Sequence, residues 1–131
     1  MGGRHSMGYG KDVQQELRAP ARALRQAIPQ IYESFGQLYA ASLTAGALDA
    51  KTKELISLAI AVSTQCDGCI AAHARGAAIQ GSTPQEAAEA IGVAIMMAGG
   101  PATVYGPRAF AAFNEFHAER ASSSENAAPG P

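Results

Sequence analysis

Apolar residues recur three and four positions apart along almost the whole chain, and the alternation of β-branched residues typical of strands is missing. This spacing places apolar side chains on one face of a helix. Helix signals punctuate the pattern, with a proline at 29, capping residues at Asp49 and Thr83, and glycines at 81 and 99. The sequence therefore predicts an all-α bundle of five to six helices.

Two prolines are expected to interrupt helices. Pro20 lies inside the first predicted helix and should kink or split it, and Gly106-Pro107 offers a break in the last one. Between them the run 55–62 is apolar nearly all round, which predicts a central helix. Ser63-Thr64-Gln65 then offers a reversal of the chain before the next helix begins.

The 131 residues predict one domain. Residues 1–10 lack periodicity, so we expect a disordered leader or a cloning remnant, with Met7 as a candidate natural start. The helical domain is expected over 11–120. Residues 121–131 are small, polar and proline-containing, which predicts a disordered tail because little apolar surface is available to offset the entropy of ordering it.

The composition predicts an oligomer. Hydrophobic residues make up 47% of the chain, but many are alanine, aromatic residues are only 6%, and tryptophan is absent. Small side chains bury little area each, so an isolated subunit would be thinly stabilised. Val93, Met96 and Met97 lie opposite the face of Ile91 and Ala94 on one predicted helix, which favours a subunit contact over a methionine-lined cofactor site.

Charge and hydropathy exclude several partners. Ten basic residues against eleven acidic ones give a net charge of -1, so no basic surface predicts nucleic-acid binding. No apolar run approaches the roughly 20 residues of a membrane helix, and no signal peptide is recognisable. We therefore expect a cytoplasmic protein without nucleic-acid or membrane partners.

The two cysteines of the chain are spaced for redox chemistry. Cys66 and Cys69 form a C-x-x-C pair where a helix is predicted to begin, and His73 follows four residues after Cys69. Free backbone N–H groups in the first helical turn favour a thiolate, the reactive form of a thiol. A histidine four positions on lies on the same face and can take or return a proton.

Glu54 completes this candidate site only if the chain reverses. One continuous helix would place it about 18 Å from Cys66. The midpoint between Glu54 and His73 falls between Ser63 and Thr64, where the sequence offers its break. Antiparallel packing of the two helices would therefore bring the acid level with the histidine.

The segment Leu48 to Ile56, followed by Cys66-x-x-Cys69-x-x-x-His73, resembles the signature of the carboxymuconolactone decarboxylase superfamily, in its alkylhydroperoxidase (AhpD-like) branch. The resemblance covers roughly 28–116. It implies an AhpD-like all-helical fold, homotrimers or hexamers, and peroxide reduction or thiol–disulfide exchange without a bound cofactor. The best-known members have a histidine where this chain has Gly68, and their reductant is a lipoyl-bearing protein.

The resemblance also implies a role for each site residue. Cys69 attacks the hydroperoxide, the more exposed Cys66 resolves the sulfenic acid and meets an external dithiol or lipoyl-protein reductant, and Glu54 with His73 forms a proton relay. Decarboxylases of the superfamily generally lack the cysteine pair, so the pair argues against lactone chemistry.

Other interpretations of the same residues stay open on the sequence. Three alternatives remain for the cysteines. They are buried hydrophobic residues, or a redox-sensing or disulfide-exchange pair, or metal ligands together with Glu54 and His73. A structural zinc site normally uses four strong nitrogen and sulfur ligands, and only three lie nearby. His117 has no comparable partner and is expected at a surface or an interface.

Overall fold

The computed structural model describes residues 8–127 and places them in six α-helices with no strand among them. The helices are α1 Lys11–Ala27, α2 Pro29–Leu43, α3 Ala50–Ser63, α4 Asp67–Ile79, α5 Pro84–Ala98 and α6 Gly100–Ala127. The predicted all-α class and the upper helix number are confirmed. Assembly of this unit into an oligomer stays a prediction.

Side-chain caps fix the starts of α3 and α5. Asp49 precedes α3 and accepts a hydrogen bond from the Thr52 backbone N–H at 2.8 Å. Thr83 and Glu86 form a reciprocal capping box at the start of α5. Such caps satisfy backbone donors that have no partner within the helix, which is why these sequence signals predicted the boundaries well.

Helices α3 to α6 build the core, while α1 and α2 lie at its periphery. Small alanines let these four helices approach closely around a few larger side chains. The largest fully buried hydrophobic residues are Leu58, Val62, Ile70 and Phe113. The expectation of a central α3 holds on one side only, because Ile56 and Ile60 remain 44% and 57% exposed on the other.

Neither internal proline ends a helix, which corrects the expected split of α1 at Pro20 and the expected break of α6 at Gly106-Pro107. Pro20 and Pro107 lie within α1 and α6 on exposed sides, where a proline disturbs no packed neighbour. Gly106 has a different role from a break. A Cβ there would lie 2.9 Å from Ile91 Cγ2, so this glycine permits close approach of α5 and α6.

The domain limits differ from those expected. Tyr9 packs against the core, and the Lys11 backbone N–H donates to Glu115 of α6 at 2.9 Å, so the folded unit begins before residue 11. At the other end α6 continues without a break through 121–127. The predicted disorder of 1–7 and 128–131 lies outside the described residues. Within 8–127, none of the helices is sufficiently long and apolar to span a lipid bilayer.

Candidate functional site

The cysteine pair lies at the reversal between α3 and α4. Gln65 takes a left-handed conformation with φ 56°, which turns the chain. Cys66 is the N-cap of α4, and its Sγ accepts a hydrogen bond from the Cys69 backbone N–H at 3.1 Å. The two residues form a disulfide, with their Cα atoms 5.2 Å apart. This places both sulfurs at the positive end of the helix.

The same reversal brings Glu54 and His73 together. His73 Nδ1 lies 2.7 Å from Glu54 Oε1 across the α3–α4 interface. Their side chains are only 14% and 11% exposed, for His73 and Glu54 respectively. A hydrogen bond so shielded from water orients the imidazole and leaves Nε2 as the nitrogen available to a reacting group.

Gly76 makes room for this pair. It lies less than one turn after His73 in α4, and a Cβ at this position would approach both carboxylate oxygens of Glu54 to 2.5 Å. The Glu54 carboxylate therefore packs directly against the α4 backbone, in space that any larger residue at 76 would occupy.

Cys69 and His73 line one cleft, as their helical spacing predicted. The cleft has a volume of about 220 Å³, and Ser57 and Thr64 contribute to its walls. A molecule bound there would meet the Cys69 sulfur and the imidazole together. The structure thus brings the four predicted site residues into one connected arrangement of disulfide, imidazole and carboxylate.

The order of exposure of the two cysteines is the reverse of that expected. Cys69 is exposed and Cys66 is partly buried. Cys66 follows directly on the reversal, and its backbone N–H donates to the Ala61 carbonyl at 3.1 Å, which holds it against the end of α3. Cys69 lies one turn further along α4, on the open side.

Sequence reasoning missed Tyr39, which stacks on His73 from α2. The ring centroids are 5.6 Å apart and the planes differ by 16°. Burial, and secondly the negative charge of Glu54, raise the pKa of Tyr39 above its ordinary value of 10.0. The sequence gives no signal for this contact, because residues 39 and 73 lie on different helices and no local pattern connects them.

A second, apolar cleft lies on the other side of His73. It has a volume of about 250 Å³ and its walls come mainly from α2. Its lining residues are Phe35, Leu38, Tyr39, Ser42, Leu43, Ser57 and His73. His73 and Ser57 therefore line both clefts, and the apolar one adjoins the one that holds Cys69.

Gly68 lies under α1. A Cβ at Gly68 would lie 3.3 Å from Leu17 Cδ1, so α1 occupies space next to the turn between the cysteines. A bulky residue at 68 would require Leu17 to move. This packing gives a local physical reason for glycine in the turn.

The described part of the chain offers few ligands for a metal centre. Residues 8–127 contain no group of three or more histidine, cysteine, aspartate or glutamate side chains placed to hold an ion. Phe113 and His117 of α6 line neither of the two clefts. Phe113 is fully buried and stacks on His117, with ring centroids 5.6 Å apart.

Comparison with known proteins gives a consistent result. Residues 29–116 match the profile of the Carboxymuconolactone decarboxylase family. An uncharacterised protein of Cupriavidus necator is 35% identical over 103 residues, which are 79% of this chain and 91% of that protein. An uncharacterised protein of the cox locus of Paracoccus denitrificans is 44% identical over 70 residues, 53% of this chain and 63% of that protein.

Solved structures show the same fold. The apo form of a carboxymuconolactone decarboxylase family protein from Legionella pneumophila superposes with a TM-score of 0.73 at 38% identity, covering 83% of this chain and 94% of that one. A protein from Thermotoga maritima gives a TM-score of 0.64 at 25% identity, covering 84% and 99% of the two chains.

Proposed function

The chain belongs to the carboxymuconolactone decarboxylase family, and from this membership we propose that it is an AhpD-like thiol peroxidase that reduces organic hydroperoxides through Cys66 and Cys69. One observation carries the proposal. Cys69 and His73 face the same cleft, while the Glu54 carboxylate holds Nδ1 of that histidine at 2.7 Å. A nucleophile, a base and the group that orients the base are thereby assembled.

The proposed reaction begins with the reduced pair. His73 Nε2 takes the proton of the Cys69 thiol, and the resulting thiolate attacks the terminal peroxide oxygen. The O–O bond breaks, and the leaving alkoxide takes that proton from Nε2 to become an alcohol. Cys69 becomes a sulfenic acid. The Cys66 sulfur then attacks the Cys69 sulfur, the disulfide forms, and the sulfenic oxygen leaves as water.

The substrate class follows from the apolar cleft beside His73. Phe35, Leu38 and Leu43 line its walls. An alkyl or aryl group bound there would gain by leaving water, while its peroxide reached the Cys69 cleft. Hydrogen peroxide has no apolar group to place there, so we expect organic hydroperoxides to be the better substrates.

An external dithiol restores the reduced pair. We propose a thiol or a lipoyl-bearing protein as the reductant, with no bound cofactor. Two reductant thiols are oxidised to a disulfide as Cys66 and Cys69 each recover a hydrogen. The exposure of Cys69 leaves a route for such a partner. The cytoplasm, where thiol reductants are maintained, is the proposed compartment.

We also propose that the subunits assemble into a homotrimer or a hexamer. Several large apolar side chains stand exposed on α2 and α5. Ile31 of α2 and Met96 and Met97 of α5 are each at least 60% exposed and line neither of the two clefts. Exposed apolar side chains of this size are typical of protein interfaces. Sedimentation velocity should give a mass of three or six subunits, and a monomer would contradict this proposal.

Steady-state consumption of cumene hydroperoxide with a dithiol reductant tests the activity. We expect turnover in the wild-type protein, none in Cys69→Ser, and about 10²-fold less in His73→Gln, the loss typical of a missing acid–base group. His117→Gln is the matched control, because His117 stacks on Phe113 outside both clefts. A single stoichiometric oxidation without turnover would refute the peroxidase and favour a redox-sensing or disulfide-exchange module.

A further inference from the structure

Asp67, between the two cysteines, is held by an arginine from a helix distant in sequence. Arg108 of α6 places Nη1 3.3 Å from each carboxylate oxygen of Asp67. The side chains of Arg108 and Asp67 are 30% and 25% exposed, so solvent screens the pair only in part. Through this ion pair α6 reaches the turn that carries both sulfurs.

The arginine is itself fixed beside two aromatic rings. Its guanidinium carbon lies 4.4 Å from the Tyr105 ring centroid and 5.2 Å from that of Tyr9. Cation–π contacts at these distances attract a guanidinium to the ring face. The positive charge is therefore held in place beside Asp67.

Charges in the first turn of α4 act on both thiols. The positive helix end favours a thiolate, whereas a carboxylate in the same turn disfavours it because like charges repel. Asp67 is the first residue of α4, one position from Cys66 and two from Cys69. By pairing with Asp67, Arg108 offsets this repulsion and preserves the stabilisation that the helix end gives to a thiolate.

We propose that Arg108 is a positioning residue that raises the reduction potential of the Cys66–Cys69 pair by neutralising Asp67. The inference extends the proposed redox role of the pair. It concerns the thiol–disulfide equilibrium and not the attack on peroxide. In that equilibrium two glutathione thiols become glutathione disulfide while the protein disulfide takes up two electrons and two protons. Stabilising a thiolate of the reduced protein favours this direction.

A double-mutant cycle tests the proposal through the reduction potential. The full-length protein is equilibrated with glutathione buffers at about pH 8, where thiolates are populated, and its thiols are counted by alkylation and mass spectrometry. Arg108→Gln should shift the equilibrium constant about two- to fivefold towards the disulfide, the size of a charge effect at a helix terminus. This corresponds to about 10 to 20 mV.

Two companion variants test the direction in which each charge shifts the thiol–disulfide equilibrium. Asp67→Asn should shift the equilibrium by a similar factor towards the dithiol, since Arg108 remains. The double variant, which lacks both charges, should return close to the wild-type value. If it stays as displaced as Arg108→Gln, the arginine acts by packing and the proposal is wrong. Asp67→Asn is also the less disruptive substitution. If it leaves the thiol–disulfide equilibrium unchanged, the proposal is overturned.

Lys51→Gln is the matched control. It removes one positive charge from another ion pair, in which Lys51 Nζ lies 2.9 Å from Glu86 Oε2. Lys51 is about 18 Å along α3 from the reversal, well beyond the screening length of about 8 to 10 Å, so the potential should not move. Glutathione equilibration needs no peroxide turnover. The measurement therefore decides the role of Arg108 even if the peroxidase proposal fails.

Discussion

Replacing Gly76 by alanine tests whether the close approach of Glu54 to α4 matters for the site. The new Cβ would lie 2.5 Å from both carboxylate oxygens, whereas ordinary contact begins at 3.4 Å. The carboxylate must then retreat by about 0.9 Å, a shift of the kind that overpacking forces on a well-packed site. A displacement of this size is enough to break the 2.7 Å hydrogen bond to His73 Nδ1.

Two opposing contributions set the expected stability of Gly76→Ala. Overpacking lowers the free energy of unfolding by about 1 to 3 kcal/mol. Alanine in place of glycine inside a helix raises it by about 1 kcal/mol. We expect a net destabilisation of about 0 to 2 kcal/mol, measured by urea unfolding of the oxidised protein. Peroxidase turnover should fall about 10- to 100-fold, a part of what acid–base catalysis supplies, because His73 remains but loses its orienting partner.

Gly92→Ala is the matched control. Gly92 lies inside α5, and nothing stands within 4 Å of a Cβ built there. This change should stabilise the protein by about 0.5 to 1 kcal/mol and leave turnover unchanged. A Gly76→Ala protein that gains the same stability and keeps full turnover would refute the argument. The double variant Gly76→Ala with Glu54→Asp separates the two effects, since the shorter acid should relieve the overpacking without restoring turnover.

Three further predictions concern other parts of the molecule. Phe35→Ala should lower kcat/KM for cumene hydroperoxide by about tenfold and leave that for hydrogen peroxide unchanged, and equal losses for both would contradict the apolar cleft. In an absorbance titration, the difference between wild-type and Tyr39→Phe should show a tyrosine ionising above pH 10.0, and Glu54→Gln should lower this pKa by removing a negative charge. Hydrogen bonds from Thr52 hold the pKa of Asp49 below 3.8, so its stabilising cap is complete above pH 3.8 and is lost as the pH falls through the folded-state value. The difference in melting temperature between wild-type and Asp49→Ala should therefore shrink in acid, and a constant difference would count against the cap.

The sequence predicted best what depends on local chemistry. The caps at Asp49 and Thr83 marked helix starts because a side chain and a backbone donor three residues on are always neighbours. The approach of Glu54 to His73 followed from helix geometry once the reversal was located. The deciding contacts lie either at the start of one helix or between two helices that one short reversal joins.

What the sequence could not give depends on packing between helices far apart in the chain. Tyr39 meets His73 and Arg108 meets Asp67 only in the folded bundle, and no spacing in the sequence relates these positions. The exposure of Cys69 relative to Cys66 depended on how the end of α3 lies against the reversal. Proline disfavours a helix interior, yet Pro20 and Pro107 lie on exposed sides of longer helices and do not interrupt them.

The disulfide links residues three positions apart at the start of α4, and it joins no two helices to each other. A ring this small restrains only the few residues that it contains, unlike a bridge across a long loop. Making and breaking it should leave the rest of the bundle undisturbed, with amide exchange rates that match in the two forms beyond that first turn. Such an architecture suits a catalyst that cycles many times on an unchanging scaffold. It is poorly suited to a redox sensor that signals oxidation through a conformational change.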